Sequence, residues 1–517
     1  MTRLRPIFFV FVLAILYLVW GTGIHSDDYI LISQASNKGV LDYLLPNPET
    51  LHVLVFQPFS YYFDFFSYYI FGYDFIIGYD WIKWLTSLLS VWLTYYFFRD
   101  YCPSQRALFA AAVFVFYPTH DATIFWVLTL TYTLTPAMLM YSHHLIRQGR
   151  LIGGFSAGMV GALTSFGSPP YTFGLGLIFL YERAYRKAAL FLSPGILFVL
   201  YYFLVSRVPG LAKGRVNSDL AIATFLKRFV LQIGTYMDVL VGPSFWLKLW
   251  YSAQAISLLS LLMCVAIVTL IWKLHKQEPL TRSRSLLIGG VGVLILALAM
   301  YALTGLYPQT AFNLGNRVVV HGTLLVAVLF AMIPLSRTRL TLISAVLLIP
   351  LFGLSDHWKE WNTIQNKVIE NIRTNPELAK LTKNDVVLVT GHSYSQLGPF
   401  NHIEFLSEGG MATPIFVSAL RQPPPYRLVA INRRFDLAEG RLIDRKYGDQ
   451  PGLQLGNEVF IYDAESNLLE RIPTNQLPTF LGNLRPETRH WVQLLKEGWL
   501  RRIVLTLMPR LKYLFDV

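Results

Sequence analysis

Long apolar runs separated by short polar breaks fill the first two thirds of the chain. A membrane crossing needs roughly 20 mostly apolar residues, and shorter runs can tilt or sit within a bundle. We read eleven such segments: Ile7–Ile24, Trp81–Phe98, Ala107–Phe116, Ala122–Tyr141, Leu151–Phe166, Tyr171–Tyr181, Ala188–Val205, Tyr251–Trp272, Leu286–Tyr301, Val318–Pro334 and Leu340–Leu354. From residue 356 the pattern changes to that of a water-soluble domain. Val386–Thr390, Tyr426–Ile431 and Glu458–Tyr462 read as strands, the last entering a hairpin through Ala464, Glu465, Ser466 and Asn467. Near the end, Trp491, Leu494, Leu495, Trp499, Ile503 and Leu507 recur at helical spacing among Lys and Arg, the pattern of an amphipathic helix lying on a surface.

Composition and charge sharpen this picture. Hydrophobic residues make up 54% of the 517-residue chain and charged ones 15%, against about a quarter charged in soluble domains. The formal charge of +13 raises the question of nucleic acid. Residues 1–355 hold 24 Lys and Arg against 13 Asp and Glu, whereas residues 356–517 hold 20 against 18. The excess therefore belongs to the apolar part, and no nucleic-acid partner is implied. Basic residues collect in alternate loops: Arg3 and Arg5, Arg99 and Arg106, Arg147 and Arg150, Arg183 to Lys187, Lys273 to Arg284, and Arg337 with Arg339. Cytoplasmic loops show this bias. It predicts a polytopic helical membrane protein with its N-terminus inside and, after eleven spans, an extracytoplasmic α/β domain at residues 356–517. With only Cys102 and Cys264, no disulfide framework is expected.

Chemistry is sought where polar residues face outward. Seven of the thirteen acids before residue 356 lie between Asp27 and Asp80. Two adjacent carboxylates, Asp27 and Asp28, follow the first span directly. Such a pair can hold a hard divalent cation, or one carboxylate can act as a base whose neighbour raises its pKa. It is also compatible with an ordinary solvated turn. Between the third and fourth spans lies the short connection from Tyr117 to Trp126, in which His120 and Asp121 can complete a cation site or Asp121 can cap the helix starting at Ala122. Asn316 and Arg317 stand at the outer entrance of the tenth span. An Arg there either anchors the span or pairs with phosphate oxygens through its planar fork. Arg207, Lys213, Arg215, Lys227 and Arg228 place basic residues in an outer stretch that attracts an anionic substrate or headgroup. The aromatic segment Phe59–Trp84 predicts helices along the outer leaflet.

An outward acidic pair after span one, a second acid between spans three and four, and a late outer Arg together resemble the GT-C superfamily of membrane glycosyltransferases. The resemblance covers residues 1–355. The run from Pro118, Thr119, His120 and Asp121 to Trp126 is similar to the Pro-x-His-x-Glu and Trp segment of multispanning protein O-mannosyltransferases and their bacterial relatives, except that here the acid follows His120 directly. No tetratricopeptide period and no Trp-Trp-Asp sequon-reading motif is present. The resemblance implies a site in the bacterial plasma membrane that faces away from the cytoplasm. A polyprenyl-phosphate sugar is then the expected donor and a hydroxyl of a glycan, lipid or protein the acceptor, since nucleotide sugars do not cross bilayers unaided. Asp28, or alternatively Asp27, is expected to be the base in an inverting transfer. Arg317, Asn316, Lys213 and Arg215 are the expected donor-binding residues, with membrane lipids around them. Asp27, His120 and Asp121 are expected to hold a divalent cation, Mg or Mn, if one is used. An outer-face polysaccharide polymerase or ligase and a lipid-linked saccharide transporter are the alternatives.

Overall fold

The computed structural model describes residues 4–36, 39–44, 48–208, 220–275, 283–304, 309–334, 336–444, 452–484, 498, 499, 502 and 506. The chain is mostly helical, with a small sheet region at its C-terminal end. Among the described residues, Tyr185–Val205, Arg284–Thr304, Leu314–Met332 and Arg337–Thr374 are long and apolar enough to cross a membrane. A fifth crossing is added if Ile222–Gln254 and Leu258–Leu274, bent by 115°, form one broken span.

The other expected segments are helical but fall short of that test for identifiable reasons. Gly21 and Gly23, with φ of +82° and +66°, bring the first helix to an end at Val19, ahead of the expected Ile24. The Ile76–Arg99 helix has 24 residues. Its buried side, however, carries Asp80, Lys83, Ser87, Ser90 and Thr94 at alternating spacings of three and four, which is one face of a helix. The segment expected as a single span from Ala122 is broken. Ala122–Phe125 is one helical turn, Trp126 is extended at ψ 121°, and the long helix begins only at Thr131 and runs to Arg147. Thr129 stabilises the break by donating its hydroxyl to the Ala122 carbonyl at 2.7 Å.

Two ends of the helical bundle differ in chemistry. At one end Arg147 donates to Glu182 at 2.8 Å and to the Tyr101 hydroxyl at 3.0 Å, Ser285 donates to Glu182 at 2.9 Å, and His144 meets Asp100 at 3.0 Å. These residues belong to the basic loops. The turns holding Asp28, Asp121 and Arg317 lie at the opposite ends of the same helices.

The aromatic segment forms the Pro58–Phe71 helix. Phe59, Tyr62, Phe66, Tyr69 and Ile70 are exposed, whereas Ser60, Asp64, Ser67 and Tyr68 are buried. A helix with its apolar face outward and its polar face inward suits a lipid-facing position, where hydrocarbon rejects polar groups.

The expected boundary at residues 355 and 356 falls inside the helix Arg337–Thr374, whose 38 residues continue past the apolar run. Ser355 and Asp356 mark the end of that run, but Trp358, Trp361, Gln365, Val368 and Ile372 stay buried at helical spacing and carry the helix into the C-terminal domain. There, β1 (Val386–Thr390), β2 (Tyr394–Leu397), β3 (Phe400–Glu404), β4 (Arg427–Ala430), β5 (Phe435–Ala438), β6 (Arg441–Asp444), β7 (Leu453–Gln454), β8 (Glu458–Asp463) and β9 (Leu468–Pro473) build three sheets. The largest has the order β4, β1, β8, β9, with β1 parallel to both its neighbours and β8 antiparallel to β9 across the expected hairpin. All three expected strands are therefore present. Most of the expected terminal amphipathic helix lies outside the described residues.

Candidate active site

The turn that delivers Asp28 is held by the polar face of the Ile76–Arg99 helix. Asp80 accepts from the backbone N–H groups of Gly21 at 2.7 Å and Gly23 at 3.2 Å. Lys83 donates to Thr22 Oγ1 at 2.8 Å, to the Gly23 carbonyl, and to Asp80 at 3.3 Å. A Cβ on Gly23 would stand 2.1 Å from Asn362 Oδ1, so both its positive φ and its surroundings call for glycine. Ser26, at φ 50°, then turns the chain into the Asp27–Ser36 helix.

Asp28 closes the first turn of that helix reciprocally. Its Oδ2 accepts from the His25 N–H at 2.8 Å while its own N–H donates to the His25 carbonyl at 3.1 Å. Oδ1 accepts from the Tyr68 hydroxyl at 2.5 Å. The side chain is wholly buried, and burial pushes its carboxyl up to about 7 against the opposing pull of Tyr68, the His25 N–H and Lys83. A carboxyl near neutrality is suited to general base catalysis. Asp27 is partly exposed beside it.

From Asp28 a short series of contacts leads to Arg317. The His25 carbonyl accepts from the Trp126 indole N–H at 3.0 Å. The Arg317 guanidinium lies over the Trp126 ring at 5.4 Å and the Tyr132 ring at 5.9 Å, and it donates to the Leu314 carbonyl at 2.9 Å. Arg317 keeps part of its surface exposed. Three segments far apart in sequence thus meet around one tryptophan.

Asp121 is where the sequence reading needs correction. Its side chain makes no cap bond to the Ala122 helix. Instead, Oδ1 accepts from Lys248 Nζ at 2.5 Å and Asn316 Nδ2 at 2.6 Å, and Oδ2 accepts from Trp358 Nε1 at 2.8 Å and His402 Nε2 at 2.9 Å. The Asn313 N–H donates to His402 Nδ1 at 3.2 Å, which fixes the neutral ring with its proton on Nε2. Burial works against ionisation of Asp121, but Lys248 and His402 outweigh it and hold the carboxyl well below the usual range. His120 faces away, with Nδ1 at 2.8 Å from Thr123 Oγ1 and Nε2 at 3.1 Å from the Phe114 carbonyl. Burial lowers the ring to about 4.

These two side chains do not fit the expected cation site. Asp121 already receives four donors, one of them an ammonium, and both nitrogens of His120 are engaged. Among the described residues, no group of three His, Cys, Asp or Glu stands ready to hold a metal.

Asn316, expected to bind donor, is buried and orients Asp121, with its Oδ1 accepting from the Ala122 N–H at 3.2 Å. Lys213 and Arg215 lie outside the described residues. Sequence reading missed Asp64, Tyr68, Lys248, Trp358 and His402. Lys248, an ammonium in the apolar run Phe245–Leu249, carried a readable signal, because such a residue normally marks a partner or a pathway. No protein family, curated protein or solved structure matches the chain.

Proposed function

We propose that this protein is a membrane glycosyltransferase that moves a sugar from a polyprenyl-phosphate donor to an acceptor hydroxyl on the extracytoplasmic face. The observation that carries this reading is the series from the buried Asp28 carboxylate through His25 and Trp126 to the partly exposed guanidinium of Arg317. It supplies a base and an anion partner within one cluster.

In the reaction, Asp28 takes the proton of the acceptor hydroxyl as its oxygen attacks the anomeric carbon. The bond from that carbon to the phosphate oxygen breaks, and its electrons leave with the polyprenyl phosphate. The configuration inverts because a single displacement occurs. Arg317 stabilises the negative charge gathering on the departing phosphate, where paired N–H donors are worth most. Two oxygens of Asp28 have about four lone-pair sites between them, and the two bonds from Tyr68 and His25 leave capacity for the acceptor.

Orientation follows from charge. With eleven crossings and the N-terminus inside, the end bearing Arg147 and Glu182 is cytoplasmic, while Asp28, Arg317 and the C-terminal domain face outward. The segregation of basic loops from the acidic turn supports this topology. The membrane in this reading is a bacterial plasma membrane. The purified protein, incubated with a panel of polyprenyl-phosphate sugars and acceptors, is expected to release free polyprenyl phosphate with matching glycosylated acceptor, with or without a chelator. Failure of every donor, alongside transfer from a nucleotide sugar, would overturn the reading.

A further inference from the structure

A second buried carboxyl, Asp64, stands on the same helix face as the tyrosine that donates to Asp28. Asp64 and Tyr68 are four residues apart on the Pro58–Phe71 helix, so they share a face with Cβ atoms about 5–6 Å apart. Tyr68 is the residue whose hydroxyl rests on Asp28. Both carboxyls are buried, Asp28 completely and Asp64 to all but 4%. Two negative charges buried on either side of one tyrosine repel, since little solvent screens them.

Their partners decide which one ionises. Asp28 receives the Tyr68 hydroxyl and the His25 N–H, with the Lys83 ammonium close enough to favour its charged form. Asp64 receives Ser60 Oγ on Oδ2 at 2.7 Å, and its buried Oδ1 has no hydrogen-bond partner. Donors favour the anion, and an unpaired buried oxygen disfavours it. Of the other elements packed on the Asp27–Ser36 helix, the segment Gly409–Leu420 contributes no titratable residue. Around the two carboxyls, the ionisable side chains on the packed elements include His25, Asp27, Tyr29, Tyr68, Tyr73, Tyr79, Asp80 and Lys83.

We propose that Asp64 is a protonated carboxylic acid at neutral pH and the positioning partner of Asp28, so that once Asp28 ionises the pair holds one proton and one negative charge. This rests on the glycosyl-transfer reading for its purpose. The donor phosphate is an anion, and a doubly charged pair would repel it, whereas one charge is sufficient for the base. Burial and the neighbouring Asp28 both raise the Asp64 carboxyl well above its ordinary value, in keeping with this assignment.

The test uses infrared difference spectra of the full-length protein in detergent, which need no substrate. At pH 8, wild type minus Asp64→Asn is expected to show the carbonyl stretch of one protonated carboxyl. Wild type minus Asp28→Asn is expected to show carboxylate bands instead. If Asp64→Asn removes only carboxylate bands, the proposal fails, whatever becomes of the glycosyl-transfer reading. Should Asp64→Asn not fold, Ser60→Ala provides the second test: the protonated-carboxyl band must persist with a shifted frequency, and its absence overturns the proposal. Once a donor is known, the pH profile adds a readout that mere packing would not move. Wild type loses activity at alkaline pH as Asp64 ionises, and Asp64→Asn is expected to abolish that limb while keeping the acid limb. An unchanged alkaline limb contradicts the proposal.

Discussion

Asp28 combines two properties that a base needs, near-neutral proton affinity and a fixed direction. Its raised carboxyl, at about 7, gives a definite pH dependence. Only the ionised form accepts a proton, so the rate is expected to fall as pH drops through 7 and to reach a plateau above it, ahead of the alkaline loss expected when Asp64 ionises. A profile flat to pH 5 would exclude Asp28 as the base. In the proposed transfer, Arg317 acts at the other end of the reaction. Arg317→Ala is expected to lower kcat about 10²–10³-fold, the usual cost of losing a charge-stabilising donor. Arg317→Lys should restore only part, because an ammonium lacks the planar fork and stacks poorly on Trp126. Equal rates in the Lys variant and wild type would reduce Arg317 to an anchor. At this scale the sequence singled out Asp28 and Arg317, since a polar residue beside an apolar run stands out, but it gave Asn316 to the donor where the structure turns it onto Asp121. It was silent on Asp64, one acid among nine aromatic residues of the helix Pro58–Phe71, because its significance arises only when that helix turns its polar side inward.

Elements are joined chiefly at Asp121. Its four donors come from the helix Pro243–Gln254, the turn Leu314–Val319, the long helix Arg337–Thr374 and β3. Two of these four belong to the part beyond residue 355, so this carboxylate ties the C-terminal domain to the bundle. Asp121→Asn would leave the Lys248 ammonium buried without its counter-ion, at a cost of about 3–5 kcal/mol. A large fall in thermal stability in detergent is expected, and the Asp121→Asn, Lys248→Met double variant should lose less than the sum of the two single changes. Additive losses would show that the two side chains do not act as a pair. The close crossing of two helices gives a further check. A Cβ on Gly353 would lie 1.7 Å from the Ser252 carbonyl oxygen, a backbone atom that cannot swing aside. Gly353→Ala is expected to separate the Pro243–Gln254 and Arg337–Thr374 helices and to cost more than the roughly 1–3 kcal/mol of ordinary overpacking. Helix positions were legible from apolar runs, whereas the break after Phe125 was not. Trp126 and Thr129 interrupt a run whose hydropathy alone is continuous. The extension of the last span beyond Ser355 was hidden for the converse reason, as polar residues cover one side of a helix that remains buried on the other.

Across the whole molecule, the side of the membrane that the acidic turn faces decides which donor can reach it. Cys102 and Cys264 are both buried, which leaves introduced cysteines as clean reporters. A membrane-impermeant maleimide applied to intact cells is expected to label Val40→Cys, in the exposed short helix that follows the Asp27–Ser36 helix in sequence, and Leu468→Cys in the C-terminal domain. Ile152→Cys, 86% exposed at the Arg147 end, should react only after the membrane is opened. The reverse pattern would put the site in the cytoplasm and remove the need for a polyprenyl carrier. Alternating basic loops carry the expectation of this sidedness, whereas the joint between bundle and domain was not legible, because Trp358 and His402 reach Asp121 across 237 and 281 residues. The most direct test compares wild type with Asp28→Asn, both reconstituted in lipid with a donor that wild type uses, by following polyprenyl phosphate release and the anomeric configuration of the product. Loss of release by about 10²–10⁴-fold in a folded variant, with inverted product from wild type, is the predicted result; undiminished release from Asp28→Asn, or a retained configuration, would contradict it.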